Sequence, residues 1–261
     1  MSTDYTLEGG VQVSRAQGIA TIEFFHPQSN SLPSRVLAAL AQAIEDEGSH
    51  PESRVIVLKS SGDRVFCGGA SFDELATIRT EAEGLQFFGG FASVINALRK
   101  SPKLTIGRVQ GKAVGGGVGL ASAVDYCLAT QHAAVKLSEL AVGIGPFVVG
   151  PAVARKMGLS AMSQLAIDAT QFKSAQWAAQ QGLYAEVFDS VEDLDAGVAR
   201  VANALTQQSA AAQTALKKVL WEGTENWDQF LAERAAISGA LVRTPENQAA
   251  IQAIHQSLSK K

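Results

Sequence analysis

The chain has 261 residues, a formal net charge of −3, 18% charged and 46% hydrophobic residues. That length carries one large domain with a full core, the near-neutral balance leaves no basic footprint for nucleic acid, and two cysteines, Cys67 and Cys127, give no disulfide framework. Four scattered histidines argue against a metal site. No apolar run approaches a membrane span and no basic stretch leads into an apolar one at the N-terminus, so a non-membrane protein in a reducing, cytoplasmic setting is expected.

In chain order, Val11–Arg15 and Ile19–Phe25 are β-rich and predict a hairpin. After the proline-broken stretch HPQSNSLPS, apolar residues from Val36 to Ile44 recur at helical spacing. Arg54–Lys59 (RVIVLK) reads as a strand buried on both faces. The glycine-rich turn FCGGAS leads into a short helix over Phe72–Arg79, and a longer helix over Leu85–Arg99 ends before Pro102. Strand Leu104–Val109, a second glycine-rich turn (GKAVGGGVG), helix Leu120–Val124 and strand Tyr126–Ala129 come next. Beyond Val135–Leu137 lies a third turn-rich stretch, SELAVGIGPFVVGP, then helix over Ala152–Asp168, helix Ser174–Gln181 and strand Ala185–Phe188. From Val191 onward the pattern is helical, with Thr244-Pro245-Glu246 as the start signal of the last helix. Strands and helices in regular alternation, followed by a helical tail, predict an α/β fold without a separating linker.

Glycine-rich turns let backbone N–H groups approach a ligand closely, and a helix N-terminus adds partial positive charge. One reading is dinucleotide binding, because Gly117-Val-Gly119-Leu-Ala-Ser122 approximates G-x-G-x-x-G with Glu139 downstream. Ser122 in place of the third glycine, and a position in mid-chain, count against it. A phosphate loop fails, since no Lys-Ser or Lys-Thr follows the glycines. The other reading joins two turns, each giving one N–H to the same oxygen, as an oxyanion hole.

On that second reading the chain resembles the crotonase superfamily, the enoyl-CoA hydratases and isomerases. Phe66-Cys-Gly-Gly-Ala-Ser-Phe72 is similar to its F-x-x-G-A-D turn, and Gly111-Lys-Ala-Val-Gly-Gly-Gly117, with Ala121 and Asp125, to its N-G-x-x-x-G-G-G turn. The resemblance spans essentially the whole chain. It implies a crotonase-like spiral of ββα units over 1–200, and a C-terminal helical region over 201–261 that completes the coenzyme A site or trimerises the protein. It also implies an acyl-CoA thioester substrate, with coenzyme A entering as part of it, no cofactor and no metal, and a homotrimer or hexamer. A charged content of 18%, below the usual ~25%, agrees with surface buried in an oligomer.

Carried over by residue, the resemblance puts the oxyanion donors at the N–H groups of Ala70 and Gly116 and the proton-transferring carboxylate at Glu139. Gly68, Gly69, Ser71, Phe72, Gly115, Gly117 and Phe147 would contact substrate. Many family hydratases carry a second glutamate where this chain has Gly119, and glycines where it has Phe147 and Val149. One carboxylate in a drier pocket favours a 1,3-proton shift, Δ3,Δ2-enoyl-CoA isomerisation, over hydration. Hydration with one glutamate, a decarboxylase or hydrolase on the same fold, and a non-catalytic acyl-CoA-binding subunit remain alternatives.

Other residues have plainer readings. Cys67 has no histidine placed to activate it and reads as a buried structural residue. Phe87, Phe88 and Phe91 could line an acyl pocket or be plain core. Lys112, Lys217 and Lys218 could meet coenzyme A phosphates or be solvated. Asp73 or Glu74 could stand in for the missing carboxylate, and Asp125 reads as a structural hydrogen-bonding residue.

Overall fold

A computed structural model describes residues 8–258. The expected hairpin is β1 (Gly10–Ala16) and β2 (Ile19–Phe25), paired antiparallel with Gly10 opposite Phe25. Helix α1 (Ser34–Ser49) precedes β3 (Val55–Ser60), then β4 (Val65–Cys67), α2 (Phe72–Leu75) and α3 (Glu81–Lys100). The next turn of chain is β5 (Leu104–Val109), β6 (Lys112–Val114) and α4 (Gly116–Ala123). The third is β7 (Tyr126–Thr130), β8 (Val135–Lys136), a 3₁₀ turn over Glu139–Val142, and α5 (Gly150–Ile167). Helix α6 (Ala175–Gln180) and β9 (Glu186–Phe188) follow. Four helices complete the described chain: α7 (Val191–Gln207), α8 (Ala210–Leu220), α9 (Trp227–Leu241) and α10 (Pro245–Leu258).

Each spiral turn lays one strand in a large sheet, ordered β1-β2-β3-β5-β7-β9, and three of them lay a second strand in a small parallel sheet, β4-β6-β8. Apart from the antiparallel first pair, the large sheet is parallel. Parallel strands covered on both faces read as unbroken apolar runs. On β3, Ile56 and Leu58 enter the main core, whereas Val55 and Val57 pack with Ile106 and Leu128 against Leu194 and Val198 of α7.

The structure departs from the sequence expectation at several boundaries. Strands β4 and β6 lie inside stretches that read as turns; with three residues each, they are too short to show a period. Helix α4 begins at Gly116 rather than Leu120, because Gly115 (φ +52°) turns the chain directly into it. Helix α2 stops at Leu75, and α3 starts at Glu81, where Thr80 and Glu83 form a capping box. Helix α5 is interrupted at Gly158, whose φ of +83° is non-helical.

The helical tail lies on the core. Residue 200 falls inside α7. Helix α9 crosses α3 so closely that a Cβ on Gly84 would stand 2.7 Å from Gly239 Cα, and α10 reaches both α2 and the 3₁₀ turn. Among the described residues no helix is long and apolar enough to cross a membrane.

Candidate active site

The small sheet determines where the candidate residues meet. Its strands are parallel and adjacent, with Cys67 paired to Ala113 and Ala113 to Val135. Neighbouring strands lie about 4.8 Å apart, so segments leaving the same ends emerge side by side. Ala70 follows β4, Gly116 follows β6 and Glu139 follows β8. Three segments far apart in sequence thereby meet at the carboxyl edge of one sheet, the usual place for a ligand in parallel α/β structure.

The two glycine-rich turns touch. Gly69 has φ +90°, and a Cβ on it would lie 2.9 Å from the Val114 carbonyl oxygen and 3.5 Å from the Gly116 nitrogen. Gly115 is likewise left-handed, and a Cβ there would sit 3.1 Å from Glu139 Oε1. A Cβ on Gly116 would come within 2.1 Å of the Phe91 ring. At these positions the backbone occupies space that a side chain would fill. Among the described residues the N–H groups of Ala70 and Gly116 meet no acceptor, while their neighbours are engaged: Ser71 N–H with Leu32 O, and Gly115 N–H with Lys136 O.

Glu139 opens the 3₁₀ turn and is half-buried as a residue, but its Oε2 is fully buried and finds no hydrogen-bond partner. Burial disfavours the charged form and, only partly offset by a hydrogen bond from Glu139's own backbone N–H, pushes the carboxyl from 4.5 up to about 7. The turn ends at Gly143 (φ +76°), whose carbonyl accepts a 2.8 Å hydrogen bond from Asn247 Nδ2 of α10. Asn247 also donates to the Leu241 carbonyl and is 8% exposed, so it ties the segment carrying Glu139 to the α9–α10 corner.

A cavity of about 50 Å³ opens at this edge. Of the residues singled out in the sequence, Glu139, Ala70, Gly116, Gly68, Gly69, Phe72, Gly115 and Phe147 line it, together with Phe88, Phe91 and Val149. Ser71 and Gly117 stand outside the lining. The Ser71 hydroxyl caps α2 by accepting the Glu74 N–H, and Gly117 packs against Cys67, where a Cβ would be 2.7 Å from the Cys67 Cβ. Phe87 is core, in edge contact with Phe88 and Phe91. Among the described residues Glu139 is the only titratable side chain in the lining.

The remaining candidates are engaged elsewhere. Asp73 bonds Gln28 and His255, and Glu74 caps α1 through the Ser34 N–H and hydroxyl. Lys217 is buried on Asp125, and Lys112 lies with Lys136 over the Phe172 ring. Buried Cys67 has its thiol pushed up to about 12, which leaves it inert at neutral pH. Residues the sequence did not announce are Asn247, Ser238 of α9 in the lining, and the contact between Gly119 and Val149. A Cβ on Gly119 would meet Val149 Cβ and Cγ1 at 2.6 Å. No group of three or more His, Cys, Asp or Glu side chains among the described residues is arranged to hold a metal.

The family model described as Enoyl-CoA hydratase/isomerase matches residues 14–258. The chain is 29% identical over 200 residues to methylglutaconyl-CoA hydratase, mitochondrial, of Mus musculus, a match covering 75% of this chain and 63% of that protein, under two thirds of its length. It is 27% identical over 211 residues to the peroxisomal Delta(3,5)-Delta(2,4)-dienoyl-CoA isomerase of Arabidopsis thaliana, covering 75% of this chain and 74% of that one. The crystal structure of enoyl-CoA hydratase from Bacillus halodurans superposes with a TM-score of 0.85 over 93% of this chain and 99% of that chain, at 22% identity, a likeness of fold.

Proposed function

The chain belongs to the enoyl-CoA hydratase/isomerase family, and from that premise we propose that it is an acyl-CoA enzyme in which Glu139 alone moves the proton of a thioester enolate. The favoured reaction is Δ3,Δ2-enoyl-CoA isomerisation. The observation that carries this reading is the single titratable side chain in an apolar cavity, its carboxyl raised to about 7.

The chemistry needs little more. Glu139 takes a proton from C2 of a 3-enoyl thioester, and the electron pair of that C–H bond spreads into a dienolate. Negative charge collects on the thioester oxygen, which accepts from the Ala70 and Gly116 N–H groups; one such donor is worth about 2.7–4 kcal/mol to the transition state. Glu139 then returns the proton to C4, leaving the double bond between C2 and C3. A carboxyl near pH 7 serves equally as base and as acid in those two steps. The contact of Val149 with Gly119 supports the assignment, because it fills the volume from which a second carboxylate at residue 119 would project.

Hydration through the same glutamate is the second reading, favoured by the name of the mouse relative, as isomerisation is by that of the Arabidopsis one. Ultraviolet absorbance of the conjugated thioester separates them. With 3-enoyl-CoA the absorbance should rise, and with 2-enoyl-CoA it should stay level. A fall with 2-enoyl-CoA means hydration, and silence on both moves the weight to a decarboxylase, hydrolase or binding subunit. In the same assay the Gly119→Glu/Val149→Gly double variant should gain a fall with 2-enoyl-CoA. Gly119→Glu alone should lose about 1–3 kcal/mol of stability through overpacking.

Self-association into a trimer belongs to the same proposal. Leu159 is 74% exposed on α5, and Leu216, Val219 and Leu220 are exposed on α8, an amount of apolar surface that a second copy would cover. Light scattering should give three times the chain mass, or six; the mass of a single chain would sink this part.

A further inference from the structure

Helix α4 has a second cavity at its other end. Ser122 lies six residues beyond Gly116, about 9 Å along the helix axis at 1.5 Å per residue. Around it, Val124, Asp125, Arg155 and Lys156 of the α4–α5 region and Leu220 and Trp221 at the end of α8 line a cavity of about 140 Å³ that is open to solvent on one side. None of this volume is used by the proton-transfer chemistry.

Its electrostatics are unbalanced. Asp125 is fully engaged: its carboxylate accepts from the Thr105 N–H and hydroxyl, from Trp221 Nε1 and from Lys217 Nζ at 2.6 Å, and the Lys217 charge offsets its own. Lys156 and Arg155 remain. The Lys156 ammonium donates 2.9 Å to the Asp125 carbonyl, and an Arg155 guanidinium N–H donates to the Leu220 carbonyl; among the described residues neither cation lies within ion-pair distance of a carboxylate. Glu225, whose charge Arg155 feels, accepts the Gly223 N–H. Burial already pushes the Lys156 ammonium below its ordinary range. The Asp125 charge helps Lys156 but is shared with Lys217, and a largely buried cation that lacks a counterion of its own is costly.

The third observation is independent of charge. Ser122 is 2% exposed, lines this cavity, and its Oγ has no hydrogen-bond partner. A buried hydroxyl of that kind calls for a missing partner. Water could satisfy the hydroxyl but would not offset the charge of the largely buried Lys156, beside which the exposed Arg155 lies over the Trp221 ring. The volume exceeds the ≈30 Å³ share of one water several-fold. Donors converge from two helices, Ser122 on α4 and the consecutive Arg155 and Lys156 on α5, so the missing ligand must accept from several directions at once. A tetrahedral oxyanion does so; a carboxylate offers two oxygens in one plane.

We propose that this cavity is an anion site that binds a small tetrahedral oxyanion of the phosphate class between Lys156, Arg155 and the Ser122 hydroxyl. The source is either free inorganic phosphate or a phosphate of a coenzyme. The site stands on its own geometry and does not depend on the reaction at Glu139.

Thermal unfolding of the full chain in increasing sodium phosphate, against sodium chloride at matched ionic strength, tests it. The midpoint should rise saturably with phosphate and not with chloride. Glu139→Gln should keep the response, Lys156→Gln should lose it, and Ser122→Ala should raise the half-saturating phosphate concentration about tenfold, one charge-assisted hydrogen bond being worth about 1.5 kcal/mol or more. If Lys156→Gln does not fold, Ser122→Ala still carries the test. Free coenzyme A on the same variants identifies the source. Coenzyme binding kept while the phosphate response is lost assigns free phosphate, and loss of both assigns the coenzyme's. No saturable rise in the parent protein, or a rise that both variants keep unchanged, overturns the site.

Discussion

Glu139→Gln should cut turnover about 10²- to 10⁴-fold, the usual contribution of a positioned acid–base group, while acyl-CoA ester binding stays nearly intact. It should also remove a pH dependence of stability. The carboxyl is raised from 4.5 to about 7 in the folded chain, so the folded state holds its proton more tightly than the unfolded one. Between those two values stability therefore falls as pH rises, and above about 7 the whole cost is present, about 3 kcal/mol by linkage. Glutamine does not titrate and escapes this term. Urea unfolding at pH 5 and pH 8 should show the parent protein losing about 2.5 kcal/mol more than the variant over that interval, the first part of the cost being present already at pH 5. Parent turnover should rise with pH through about 7 as the base ionises. Equal pH dependence in both proteins would mean that water reaches the carboxylate. Undiminished turnover in the variant would remove Glu139 from the chemistry.

The second large effect belongs to Asp125, far from the proposed proton transfer. Its side chain is 5% exposed and holds Lys217, itself 3% exposed, together with the Trp221 indole and the Thr105 backbone and hydroxyl. These contacts join the end of α4 to β5 and α8. Asp125→Ala leaves the Lys217 ammonium buried without a counterion, and should cost about 3–5 kcal/mol of unfolding free energy. Lys217→Met in the same chain should recover part of that loss, since removing both partners is far cheaper than removing one. A loss below about 1 kcal/mol in the single variant would mean that Lys217 finds solvent. No additional loss of turnover beyond the loss of folded protein is expected.

Glycine made the site legible from the sequence. FCGGAS and GKAVGGGVG stand out because a run of glycines has only a backbone reason to exist, and the structure supplies it at Gly69, Gly115 and Gly116, where turns or close packing leave no room for a Cβ. The large sheet is legible for the complementary reason: its parallel strands are apolar runs long enough to recognise. The small sheet is not, since strands of two or three residues show no period, yet it is what aligns the two turns with Glu139. Asn247 and Ser238 could not be found at all. They reach the site through the packing of α9 and α10, and no local pattern marks a residue for a partner some 100 positions away. Gly119 and Val149 were each visible as departures from a motif, but only the fold shows them in contact.

The bond from Asn247 to the Gly143 carbonyl also has a meaning in time. Gly143 leaves the ribosome 104 residues ahead of the asparagine that holds it; at roughly 5–20 residues per second that interval is about 5–20 s. Throughout it a growing chain already contains the carboxylate and both glycine turns but lacks the clamp on the turn that follows the carboxylate. The clamp on the segment that carries Glu139 is thus among the last contacts of the candidate site that synthesis makes available, since Asn247 lies in α10.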